Sequence, residues 1–316
     1  MKKVVIWVCL AVMLLGMSGC QNGPVYTGEN TGTSCGNITM GQGKFAYSNG
    51  FIYFCSESKT VYEYDMESGV TVTLDLKDIG MPWGMFVSED YIFLASGGIR
   101  YISKDGKKEG TPFAREDGCK QFFADGADGF YLNYVGESLF HRNMNTGEET
   151  ELLSGVNGYY VDDSFIYAAV ISEESYQLFR GSRTDFRFEA VELNVEPIAV
   201  NAGADGIFLS SKGSYQIVWY KDGTETQLPI YGTYYQNIGG SIIYSDSTEY
   251  KNGCFPVKKY DLQTGETTLL CENVFDFCVL EERYVCCQCR TGNETFYDLI
   301  DLQNGEPVRM YPPEEE

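Results

Sequence analysis

The fold class this sequence predicts is all-β, a β-propeller of four-stranded antiparallel blades, and three observations carry the prediction. A turn dipeptide followed by a short apolar and aromatic run recurs seven times: Asn49-Gly50-Phe51-Ile52-Tyr53-Phe54, Asp90-Tyr91-Ile92-Phe93-Leu94, Asp128-Gly129-Phe130-Tyr131-Leu132, Ser164-Phe165-Ile166-Tyr167, Asp205-Gly206-Ile207-Phe208-Leu209, Ser241-Ile242-Ile243-Tyr244 and Arg283-Tyr284-Val285-Cys286. Anchored on Tyr53, Phe93, Tyr131, Tyr167, Phe208, Tyr244 and Cys286, the intervals are 40, 38, 36, 41, 36 and 42 residues, the period of a propeller blade. A second signature, a hairpin closing on Gly, follows at Tyr64-Asp65-Met66-Glu67-Ser68-Gly69, Lys104-Asp105-Gly106, Asn143-Met144-Asn145-Thr146-Gly147, Lys221-Asp222-Gly223, Asp261-Leu262-Gln263-Thr264-Gly265 and Asp301-Leu302-Gln303-Asn304-Gly305. The composition agrees: 24 Tyr and 19 Phe suit pleated, half-buried surfaces, and few segments place apolar residues at helical spacing.

Each repeat therefore reads as an inner strand, a tight turn, the anchor strand, a loop, a third strand, a Gly hairpin and an outer strand. Gly supplies the positive φ of these turns, and Asp or Asn side chains bond the turn backbone. The fourth repeat lacks the closing Gly at Gly181-Ser182-Arg183-Thr184-Asp185, which predicts a longer or bent hairpin. Radial four-stranded sheets leave only short, protected edges. The repeats count to seven blades, with six the alternative if a terminal unit serves as a cap.

Ahead of the repeats lie Lys2 and Lys3, an apolar run from Val4 to Leu15, and Gly16-Met17-Ser18-Gly19-Cys20. The run is too short to cross a bilayer of about 30 Å as a helix and reads as a secretory signal. Small residues before one cysteine resemble the lipobox of bacterial lipoproteins, apart from Met17 where Leu is usual. The resemblance implies a signal peptide at 1–19, cleavage before Cys20, and lipidation of Cys20 with diacylglyceryl and palmitate-type chains. The protein would then be extracytoplasmic and anchored to the cell membrane, or to the outer membrane of a Gram-negative cell. Residues 20–42, rich in Gly, Asn and Thr without apolar period, read as a flexible tether, with Asn37-Ile38-Thr39-Met40 as a candidate extra strand for the last blade. The propeller then spans 43–316, a length one closed all-β array accommodates.

Loss of Lys2 and Lys3 moves the net charge from −22 to −24. That charge excludes nucleic acid as a partner, because phosphates need Lys and Arg to neutralise them, and it excludes electrostatic adhesion to anionic lipid. With lipobox, polar tether and aromatic repeats together, the chain resembles bacterial lipoproteins whose domain of unknown function is a low-density-lipoprotein-receptor-like propeller; TolB-like propellers share the pattern. The resemblance implies a fold and a location, and brings no catalytic residues with it.

Catalytic chemistry is thin. The one histidine, His141, sits between Leu139-Phe140 and Arg142-Asn143 in an outer strand, away from any cleft a general base must reach. Asp125-Gly126-Ala127-Asp128-Gly129 has calcium-like residue types but lacks the closing Glu of a calcium loop, so it reads as a turn. Glu173 and Glu174, with Asp162 and Asp163, act as acid and base only if folding pairs them across a pocket. Nine cysteines remain beyond Cys20: Cys35, Cys55, Cys119, Cys254, Cys271, Cys278, Cys286, Cys287 and Cys289. An odd count leaves at least one unpaired in a single chain, and small buried thiols are the expectation. Cys278 lies opposite Cys286 or Cys287 in the last blade, a candidate cross-strand disulfide. A zinc site on Cys286 and Cys287 is disfavoured because neighbouring strand residues point to opposite faces. No metal set and no cofactor are predicted.

The loops joining second to third strands, and blade to blade, share one face of a propeller. Trp83, Tyr159, Tyr160, Glu173, Glu174, Tyr176, Tyr234 and Tyr235 fall in or beside them and form the candidate binding rim, since Tyr and Trp bury large area at low entropy cost. The sequence thus points to a membrane-tethered, non-enzymatic module that binds or scaffolds a peptide, glycan or partner protein. The alternative is an extracytoplasmic carbohydrate- or peptide-active enzyme using paired carboxylates.

Overall fold

The computed structural model describes residues 26, 32–56, 60–74, 82, 84–95, 97–114, 118–133, 135, 137–172 and 175–312. The signal segment and Cys20 lie outside them. No described helix is long and apolar enough to cross a membrane.

The chain is a β-propeller. Four antiparallel sheets run β1 (Phe45–Ser48) to β4 (Val70–Leu74), β5 (Met85–Val87) to β8 (Glu109–Ala114), β9 (Cys119–Asp125) to β12 (Glu149–Leu153) and β13 (Val156–Val161) to β16 (Phe188–Val191), each in sequence order. A ten-stranded sheet follows, from β17 (Pro197–Gly203) to β26 (Pro307–Tyr311). Two strands in it serve twice. β20 (Thr224–Asn237) pairs with β19 (Gln216–Lys221) through Tyr231 and with β21 (Ser241–Asp246) from Gly232 onward. β23 (Thr267–Leu280) likewise leaves β22 (Phe255–Asp261) for β24 (Tyr284–Thr291) at Val274, and β24 continues to β25 (Glu294–Asp301). Each long strand is the outer strand of one unit and the inner strand of the next, so the sheet divides into three units of four.

Burial explains why the repeats take this shape. All seven anchor residues lie on second strands, 0–7 % exposed. Apolar clusters fill every junction between successive units, and one more joins the last unit to the first: Phe45, Phe54, Tyr62 and Tyr64 pack on Cys278, Leu280, Cys286, Tyr297, Leu299 and Met310. Thr71 Oγ1 donates to the Met310 carbonyl at 2.6 Å across this seam. The arrangement fits seven blades closed face to face.

Two expectations are corrected. Residues 32–42 are not tether throughout, and Asn37-Ile38-Thr39-Met40 adds no strand. Ser34 caps a short helix, α1 (Cys35–Thr39), whose five residues are all buried and which touches inner strands β9, β13, β20 and β23, filling the central channel. Asn37 bonds both backbone groups of Val279, at 2.7 and 2.8 Å, as a neighbouring strand would. Gln121 donates to the Thr39 carbonyl at 2.8 Å, and the Val161 N–H reaches the Cys35 sulfur at 3.2 Å. A Cβ at position 36 would lie 2.2 Å from Gln236 Oε1 and 2.5 Å from Asn201 Nδ2, so a larger residue would displace that hydrogen-bonded pair.

The hairpin of the fourth blade is also of ordinary length. The Phe186 N–H bonds the Ser182 carbonyl at 3.0 Å, matching Gly69 to Asp65 and Gly265 to Asp261, and Phe186 takes the glycine's place at φ 54°. Its ring stacks 4.6 Å from that of His141, which anchors the strained residue.

Candidate functional site

The predicted rim does not assemble. Trp83, Glu173 and Glu174 lie outside the described residues. Tyr159 and Tyr235 are core, both 0 % exposed on inner strands. Each hydroxyl reaches back to two carbonyls of the preceding blade: Tyr159 to Gln121 and Phe130, Tyr235 to Ala199 at 3.2 Å and Phe208 at 3.1 Å. A buried Tyr must satisfy its hydroxyl, and an inner-strand position offers those carbonyls. The other three divide between the faces. Tyr176, under the Lys212 ammonium at 3.8 Å, and Tyr234, edge-on to Phe255, sit toward the loop face. Tyr160 lies at the end of β13, on the face of the tight turns.

That turn face carries two adjoining concavities. One, of about 220 Å³, is the channel mouth, lined by Thr33, Ser34, Tyr160, Gln236, Glu281 and Glu282. Burial raises the Tyr160 hydroxyl pKa, with Cys35 and Asp162 adding to the shift. The other is a groove of about 650 Å³ at the seam between first and last blades, lined in part by Tyr47, Tyr64, Tyr284, Arg283, Asp301 and Val308. The rings of Tyr47 and Tyr284 lie 6.1 Å apart, centre to centre, as a tilted pair in its wall. Arg283 holds Asp301 in a two-point ion pair at 2.9 and 2.6 Å, which pulls the carboxyl below its usual range. The turn Glu281-Glu282 links the two concavities. Both residues have positive φ, 53° and 50°, a pair of conformations that the first repeat gives to Asn49-Gly50 and the sixth to Gly239-Gly240. Left-handed backbone costs a non-glycine residue roughly 1–2 kcal/mol, and such strain concentrates at functional positions. Glutamate in a turn that favours glycine is the sequence signal that marks this mouth.

His141 Nε2 donates to Asp128 Oδ1 at 2.8 Å, between the rings of Phe130 and Phe186. Arg183 of the next blade binds Asp125 at 2.6 Å and Asp128 at 3.3 Å, so both carboxylates of the calcium-like turn are engaged by protein. Asp162 caps its own turn through the N–H groups of Ser164 and Phe165. Asp276 stands at the loop-face end of the channel, 3 % exposed, accepting from the Gln42 N–H at 3.3 Å while its second oxygen has no hydrogen-bond partner among the described residues. Burial raises its pKa to about 6 against the opposing pull of Lys44.

The nine cysteines from Cys35 to Cys289 are all thiols. Register places Cys278 opposite Cys286, and both face the seam cluster. Cys287 and Cys289 face the other way, into the junction of sixth and seventh blades. Cys271 joins them from the sixth blade, 3.5 Å from Cys289. Either sulfur of that pair can donate, and the interaction of the three thiols lowers the Cys271 pKa while raising those of Cys287 and Cys289. Sequence reasoning set Cys286 beside Cys287 and missed Cys271, because nothing in a linear repeat says which outer strand lies against which sheet.

No family model matches the chain, and no curated protein matches it. Solved structures do. A puromycin hydrolase aligns over 94 % of this chain and 57 % of its own, at 9 % identity and TM-score 0.63. The N-terminal domain of Nup159 aligns over 90 % and 96 %, at 12 % identity and TM-score 0.54. TolB from Acinetobacter baumannii aligns over 84 % and 77 %, at 13 % identity and TM-score 0.49, too loose to argue from. The chain spans little more than half of the puromycin hydrolase. At these identities the likeness is one of fold: this protein is a β-propeller.

Proposed function

We propose that this propeller is a non-enzymatic binding module, tethered outside the cell through lipidated Cys20, that takes a peptide or glycan segment along the seam groove and channel mouth. The observation that carries the reading is the groove itself: three tyrosines around a rigid Arg283–Asp301 pair, in an open concavity of about 650 Å³. Aromatic walls with fixed polar groups suit sugar rings and peptide backbones. Glu281 and Glu282 at the adjoining mouth favour a segment with positive charge.

The enzyme reading has its best acid in Asp276, whose raised pKa suits proton donation. Against it, Asp276 is buried behind the turn at Gln42, and His141 is held in an aromatic sandwich.

The test is an array of peptides and wall glycans probed with the full chain, unanchored by Cys20→Ser. Tyr47→Ala with Tyr284→Ala should weaken binding of any hit by about tenfold or more, and added salt should weaken it further. Tyr176→Ala, at the loop face, should change nothing. Turnover of a bound ligand, or indifference to the double substitution, would sink the reading.

A further inference from the structure

We propose that Cys271, Cys287, Cys289 and Asp298 form a binding site for a thiophilic divalent cation, Zn²⁺ by its ligand chemistry, at the junction of the sixth and seventh blades. This stands independently of the groove. The Cys271 and Cys289 sulfurs and a carboxylate oxygen of Asp298 all lie within 4.8 Å of one another. Cys287 and Cys289 are two residues apart on β24 and so share a face, with Cys287 directly across from Asp298 on β25. Three thiols and one carboxylate are a four-donor set of the kind that closes a tetrahedral zinc site.

The backbone explains how the fourth strand contributes. Between Cys271 and Val274 the β23 ladder shifts register, with Asn273 at φ 57°, as the strand leaves β22 for β24. The bend swings Cys271 over the face that carries Cys287 and Cys289. Their separation matches the chemistry. Zinc–sulfur bonds of about 2.3 Å at tetrahedral angles put sulfurs about 3.7 Å apart. The observed 3.5 Å is close to that spacing, and far from the roughly 2.05 Å of a disulfide.

The surroundings are those of a metal site. Cys287 and Cys289 sit in an apolar junction with Val257, Val274, Phe277 and Ile300, which excludes water. Cys271 is only partly buried, giving an ion access from the rim. Arg309 donates to Asp298 at 2.5 Å while lying 3.9 Å over the Phe296 ring, so the carboxylate is held in place by an outer partner.

The test is Co²⁺ titration of the full chain, purified reduced and without chelator, followed by Zn²⁺ competition. One equivalent of Co²⁺ should give thiolate charge-transfer and tetrahedral visible bands that Zn²⁺ abolishes. Cys271→Ser and Cys289→Ser should each weaken Co²⁺ binding by more than the about 10–100-fold expected for an outer partner such as Arg309→Met. Cys278→Ser and Cys286→Ser, which face the seam, should leave the spectrum unchanged. The wild-type titration decides the matter even if a variant fails to fold: absent bands overturn the proposal, as does a Cys271–Cys289 disulfide mapped in freshly isolated protein.

Discussion

Asp276 is a carboxyl whose folded environment prefers the proton. Its pKa rises from 3.8 to about 6, first through burial, with Lys44 the opposing charge and Tyr234 and Cys278 beside it. Since the folded state binds the proton more tightly than the unfolded chain, stability falls as pH rises from about 4 through 6 and then stays lower. Asp276→Asn should therefore raise the unfolding free energy read from urea titration at pH 7.5 by on the order of 1–2 kcal/mol, and the gain should vanish near pH 4. Glu282 tests the balance of stability against binding. Glu282→Gly should raise stability by about 0.5–1 kcal/mol by relieving left-handed strain, while weakening any basic ligand of the channel mouth. Tyr235 is a purely structural residue, so Tyr235→Phe should cost about 1–2 kcal/mol in denaturation without affecting ligand binding. At this scale the sequence was only partly legible. Tyr159 and Tyr235 carry the same residue type as a binding aromatic, and only the carbonyls of the neighbouring blade, remote in sequence, reveal them as core.

Among the elements, the strands were the most legible, because the period-2 pleat and the Gly hairpins are written locally. The α1 segment was not. Its Gly, Asn and Thr content reads as linker, its apolar side is no more than Cys35 and Ile38, which pack into the junction of the third and fourth blades, and its other side meets polar groups: Asn201, Gln236 and the backbone of Val279. Helix propensity says nothing about a partner surface assembled from four distant strands. Asn37→Ala would leave the Val279 N–H and C=O facing a void. It should cost about 2–4 kcal/mol, read in thermal unfolding, and speed hydrogen exchange at Val279 more than at Val285. The fourth-blade hairpin teaches the converse. Turn length followed the other repeats even without glycine, since the backbone bond from residue five to residue one was kept and Phe186 found packing on His141.

The whole molecule is a ring whose closure is packing rather than strand exchange. Successive blades pack face to face, and the seam between first and last units is held by Phe54, Tyr62, Tyr297 and their cluster together with the Thr71–Met310 bond. Phe54→Ala removes a fully buried ring there and should destabilise by about 3–5 kcal/mol. Hydrogen exchange should accelerate first in the first and seventh blades, and an even loss around the ring would contradict the seam's special role. The repeat period made the ring legible, because units of about 40 residues with four short strands each are propeller blades, which bury their faces by closing radially.

The chain passes through the hub before it forms its first blade: the Tyr47 N–H bonds the Gly32 carbonyl near the turn face, and the Met85 N–H bonds the Gly43 carbonyl near the other. A pull on the polypeptide upstream of Gly32 therefore loads the disc along its axle, shearing α1 against several inner strands at once. A pull from Tyr311 instead unzips β26, an edge strand, one ladder bond after another. Held by a handle within the ring, the molecule should resist far greater force when pulled by its amino end than when pulled by its carboxyl end, and a mooring placed at the amino end leaves the weaker end slack.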